Sequence, residues 1–241
     1  MRTPVLTARA ILAGLSPSGP NGRLAVFCYH QVLGEKSVWR KDEPSADEFM
    51  EDLEIIRSLF NVLSLPDAVA MLKAGTIPRR SAAITFDDGY ENNFTVASPI
   101  LESMDVPATF FIAGGAVDQG VMWNDLVIDA LAASNGVPVL PPSADIDTGP
   151  NNGLSPDGVV SLVLGQMKYL PVETRWALAE EMYQLNVERS LPRYMMTRDM
   201  VHGLATRGFD VGAHTISHPI LNELPDGDAM AEISNFPAPI S

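Results

Sequence analysis

Between Leu24 and Ala113 the chain switches repeatedly between short apolar runs and longer stretches with helical spacing, and this alternation restricts the fold more than any other feature. LAVFCY (24–29), NVLSL (61–65), AAITF (82–86) and ATFFIA (108–113) are short enough, and apolar enough, to be buried strands. Between the first two lies SADEFMEDLEIIRSLF (45–60), where Ser45 and Glu48 form a capping-box signature ahead of helix-spaced Phe49, Leu53, Ile56 and Phe60. SLPDAVAMLKAG (64–75) carries a serine cap, a proline in the first turn and a glycine stop. NNFTVASPILESM (92–104) reads as a further helix, with Pro99 near its start or at a kink. Strands joined through helices need crossover connections, which make neighbouring strands parallel. The pattern therefore predicts an α/β sheet or barrel, with FDVGAH (209–214) as its fifth strand.

The rhythm breaks in the middle. Residues 134–158 are dense in Pro, Gly, Asn and Asp and predict a long surface loop, followed by helical VETRWALAEEMYQLNVERS (172–190) and TRDMVHGLATRG (197–208). We read residues 1–23 as an N-terminal extension and 24–241 as one domain carrying an insertion at about 118–196. Arg9 interrupts the only apolar run near the N-terminus and no small-x-small cleavage site follows, so no export signal is recognised and a cytoplasmic location is expected. No stretch is apolar enough to span a membrane. The net charge of −14 argues against binding nucleic acid or anionic membranes, which basic clusters attract. Cys28 is the single cysteine, which excludes an intrachain disulfide and a cysteine-rich zinc site; within LAVFCY it reads as a small buried hydrophobe.

Two strands end in residues that carry chemistry. SAAITFDDGY (81–90) runs from an apolar strand straight into Asp87 and Asp88, and GFDVGAHTISHP (208–219) places His214 and His218 just after another strand. In a parallel α/β fold the carboxyl ends of all strands share one face, where active sites are built. The two segments would then deliver a carboxylate and two imidazoles to one rim, the donor set of a catalytic zinc-type site. A divalent cation would also make the paired aspartates useful, binding one while the other remains an ionised base. Read separately, Asp-Asp-Gly can simply cap a helix and His-x-x-x-His can be unrelated to metal.

TFDDGY and HTISH resemble the first two motifs of the polysaccharide deacetylases with a NodB-homology domain, carbohydrate esterase family 4; YHQV (29–32) and VPATFFIAGG (106–115) agree with that likeness. The resemblance covers about residues 24–234, apart from the insertion, with the core beginning near residue 81. It implies a distorted (β/α) barrel and a metal-dependent hydrolase that removes N-acetyl groups from an amino-sugar polysaccharide or oligosaccharide. By position, Asp88, His214 and His218 match the metal ligands, with zinc the expected ion, and Asp87 matches the catalytic base.

The family supplies its proton donor from a histidine in a late motif, and no such motif follows HTISH here. About five strands are also fewer than the roughly eight of a closed barrel. The expectation is a deacetylase fold incomplete at the C-terminus, weakly active or inactive. The alternatives are a non-catalytic truncated relative and an iron(II) oxygenase with two histidines and one carboxylate. His30, which ends the first strand, is a candidate substitute acid or sugar contact. Tyr90, Trp123 and Trp176 are given no role, and His202 is expected on a helix surface.

Overall fold

The computed structural model describes residues 2–146, 153–187 and 189–234. Two compact units are distinguished: the first comprises residues 1–35, 43–117 and 196–241, the second residues 36–42 and 118–195.

The first unit is a parallel sheet with helices. After α1 (Arg2–Leu15) come β1 (Leu24–Tyr29), α2 (Ala46–Leu59), β2 (Asn61–Val62), α3 (Leu65–Lys73) and β3 (Ser81–Phe86). A turn of π-helix (Asn93–Ala97) leads into α4 (Ser98–Ser103), then β4 (Thr109–Ile112) and α5 (Gly114–Gln119). The unit closes with α9 (Arg198–Thr206), β5 (Asp210–Ala213) and α10 (Asp226–Ser234), the numbers between belonging to the second unit. The sheet order is β1-β3-β4-β5, and every pairing is parallel. β1 runs along one edge of β3 from Leu24↔Ser81 to Tyr29↔Phe86, while β2 and β4 share the other edge, at residues 81–82 and 85–86.

Burial explains why β3 reads as a mostly apolar run without alternation. All six of its residues are buried, as expected where helices cover both faces of a parallel sheet. Phe86 stacks on Phe110 of β4 at a centroid distance of 4.8 Å, and Phe49 of α2 meets Phe86 edge-on at 5.8 Å. The Ser45–Glu48 capping box forms with both of its bonds, and it starts a helix that buries Phe49, Leu53 and Ile56. Full burial of such side chains contributes about 1.5–3 kcal/mol each. The α/β class is as the sequence indicates. The five strands described form an open sheet, and their parallel pairing is unlike the antiparallel double-stranded β-helix that the iron oxygenase alternative requires.

One local expectation is sharpened and one corrected. The segment 92–104 is helical as read, and the irregularity expected at Pro99 takes the form of a π-turn over Asn93–Ala97 that runs without a break into α4. Cys28 is exposed rather than buried: β1 is an edge strand, and its alternate side chains Val26 and Cys28 face outward.

The second unit is helical: α6 (Trp123–Ala133), α7 (Pro156–Met167) and α8 (Val172–Asn186) pack around Leu126, Leu131, Val163, Met167 and Met182. Residues 36–42 are tied to it by Arg40, whose Nη1 lies 2.6 Å from Oδ1 of the fully buried Asp125. Part of the loop expected over 134–158, residues 147–152, lies outside the described residues. Among the described residues no helix is long and apolar enough to cross a membrane.

Candidate metal centre

The sheet brings together what the sequence keeps far apart. β3 and β5 flank β4 and run parallel, so their carboxyl ends lie on one rim. His214 continues the ladder, its N–H donating to the Ile112 carbonyl at 2.8 Å, and Asp87 does the same with Tyr29 at 2.9 Å. Beyond these points the backbone turns sharply. Asp88 adopts φ 73°, Thr215 63° and His218 53°, left-handed conformations uncommon outside glycine but tolerated best by residues such as Asp and His. Gly89 has φ 94°, and a Cβ there would sit 3.2 Å from the Ile112 side chain, so glycine is needed for both reasons.

The outcome is a compact donor cluster. Oδ1 of Asp88 lies 3.2 Å from His218 Nε2 and 3.5 Å from His214 Nε2, and the two rings stand 5.1 Å apart. One ligand atom from each of the three residues falls within 4.8 Å of the others. Asp88 is 4% exposed, and its Oδ1 is buried without a hydrogen-bond partner. Burial raises its pKa; the charges of His30 and His214 oppose the rise and that of Asp87 adds to it. A buried oxygen with no donor, facing two imidazole nitrogens, fits a divalent cation far better than it fits a helix cap. Nitrogen and oxygen donors of this kind suit zinc, among other divalent ions.

Asp87 points elsewhere. Its Oδ2 accepts a hydrogen bond from the Cys28 thiol at 3.3 Å, a contact absent from any sequence pattern because it joins neighbouring strands β1 and β3. The Cys28 pKa is pushed up to about 11, first because the residue, exposed overall, has its thiol partly withdrawn from water and then by Asp87. His30 is exposed just beyond the carboxyl end of β1, which runs parallel beside β3 with Tyr29 opposite Phe86, so it belongs to the same rim. His202 lies exposed on α9 and Tyr90 is buried.

Sequence reasoning missed Glu232. This α10 residue accepts from the N–H groups of Ile216 and Ser217, both at 2.8 Å, and from the Ser217 hydroxyl at 2.6 Å. Burial would raise its pKa, but these hydrogen bonds outweigh burial and lower it. Nothing in its spacing from His218 marked it in the sequence. A depression of about 570 Å³ opens beside the two histidines, with Pro219, Leu221 and Ile233 on its wall.

Fold and cluster together define a parallel α/β protein with an Asp-His-His centre at the carboxyl ends of its strands. The model of the polysaccharide deacetylase family matches residues 74–240, and the chain belongs to that family. Among solved structures it is similar to the deacetylase PplD of Streptococcus pyogenes, in complex with acetate, at 15% identity and a TM-score of 0.51, covering 88% of this chain and 65% of that one. A de-N-acetylase from Aggregatibacter actinomycetemcomitans matches at 19% identity and a TM-score of 0.44, covering 80% and 54%. A polysaccharide deacetylase from Bacillus cereus matches at 13% and 0.44, covering 89% and 48%. The chain thus spans less than two thirds of each of these three proteins. No curated protein matches it by sequence.

Proposed function

We propose that the chain hydrolyses the N-acetyl groups of an amino-sugar polysaccharide or oligosaccharide, with a divalent cation, zinc by its donor set, held by Asp88, His214 and His218. The observation that carries this reading is the buried, partnerless Oδ1 of Asp88 facing two imidazole nitrogens in a chain of this family. A cation bound there supplies Lewis acidity, acidifying water and polarising an acetamide carbonyl. Asp87, beside Asp88 but outside the donor cluster, takes the proton from water as it adds to that carbonyl. The Cys28 thiol leaves the other Asp87 oxygen free for this role. The apolar wall of Pro219, Leu221 and Ile233 suits the acetyl methyl group. When the carbon–nitrogen bond breaks, the amine needs a proton, and His30 on the rim is the candidate donor.

The test is acetate release from N-acetylglucosamine oligomers with zinc present. We expect release that Asp87→Asn reduces by about 10²–10⁴-fold, the usual worth of a general base. Tight zinc binding without acetate release would favour the non-catalytic alternative. Failure to bind zinc or any other divalent ion would overturn the metal assignment.

A further inference from the structure

We propose that Glu232 is a positioning residue for the metal centre: its carboxylate fills an anion-binding nest in the His214–His218 loop and thereby fixes both imidazoles. The inference deepens the proposed function and rests on it. The loop between the histidines is three residues long, and its bend requires left-handed backbone at Thr215 and His218. Such a bend turns successive N–H groups to one side, a concavity that binds anions. Here the successive donors are Ile216 and Ser217, and the anion is Glu232, which takes both N–H groups on Oε2 and the Ser217 hydroxyl on Oε1.

The opposite side of the loop is held as well. The N–H groups of Gly114 and Gly115 donate to the carbonyls of Thr215 at 3.2 Å and Ile216 at 2.8 Å. A Cβ at Gly115 would stand 2.7 Å from the Ile216 oxygen, so the approach is too close for any other residue. With its carbonyls held from α5 and its N–H groups from α10, the loop has little freedom to relax the spacing of His214 and His218. Without Glu232, three donors would return to water and two non-glycine residues would lose the contacts that hold them in strained conformations. The histidines are then misplaced before any cation arrives.

Zinc affinity, measured by competition with a chromophoric chelator, tests this in the full chain. Outer-shell partners of metal ligands are worth roughly 10–100-fold in affinity, and we expect Glu232→Ala to lose about that much. Ser217→Ala, which removes only the hydroxyl bond, should lose less. The losses of the double variant should be less than multiplicative, because both changes dismantle one contact; a general weakening of α10 would not produce that coupling. Asp228→Ala, an exposed change on the same helix, should leave affinity unaltered. Should Glu232→Ala fail to fold, Glu232→Gln with Ser217→Ala gives the same cycle. Wild-type zinc affinity in the Glu232 variants would overturn the inference while leaving the metal centre intact. Absence of zinc binding in the wild-type protein would overturn the metal centre, and this inference with it.

Discussion

Replacing Asp88 by Asn should make the metal-free protein more stable and the zinc-loaded protein less stable than wild type. The two residues have nearly the same shape, and both tolerate the φ of 73° at this position, so the backbone contribution cancels. What changes is the charge. In the metal-free wild type, Asp88 Oδ1 is buried with no hydrogen-bond donor to accept from. An unsatisfied buried group of this kind costs about 1–3 kcal/mol, more when charged. The asparagine amide removes the charge and can donate to an imidazole nitrogen 3.2 Å away. A gain of about 1–3 kcal/mol is therefore expected, or several degrees in Tm at about 2–4 °C per kcal/mol. Zinc at about 1,000 times its Kd should then stabilise the wild type by about 4.1 kcal/mol, more than the variant's gain, and leave the variant unmoved. Chemical denaturation with and without zinc reads both effects. If Asp88→Asn weakens the metal-free protein by more than about 1 kcal/mol, the buried carboxylate is a stabilising group rather than an unsatisfied one and the reasoning fails.

Other outcomes follow from the same geometry. With its pKa pushed up to about 11, first by burial and then by Asp87, the Cys28 thiol stays protonated until strongly alkaline pH. Its alkylation near pH 8 should be about 100-fold slower than that of a free thiol, and faster in Asp87→Asn; a normal rate in wild type would show that the contact does not persist in solution. Arg40→Met strips the fully buried Asp125 of its cation and should cost about 3–5 kcal/mol in urea denaturation, with Asp125→Leu recovering most of it in the double variant. A loss below 1 kcal/mol would show that water reaches Asp125. Gly115→Ala should lower zinc affinity, since its Cβ would press on the Ile216 carbonyl; unchanged affinity would mean that the loop yields at no cost.

Much of the fold follows from local rules that act along the chain. The mostly apolar run at 81–86 announces a buried strand, and a serine cap with a glutamate three residues later announces α2. The aspartates and histidines stood out for the same reason, as polar residues where an apolar run stops, and the sheet does bring Asp88, His214 and His218 together. Sequence periodicity cannot reveal that β1 lies at the sheet edge, so Cys28 reads as buried within LAVFCY, whereas it is exposed and bonded to Asp87. It could not reveal Glu232 either, an ordinary-looking helix residue whose partners are backbone N–H groups of a distant loop. Backbone donors carry no residue identity, and edge position depends on which strands pair. The chain encodes its strands, helices and the candidate ligand residues locally. Strand order and loop conformation, set by long-range packing, determine which of those groups touch.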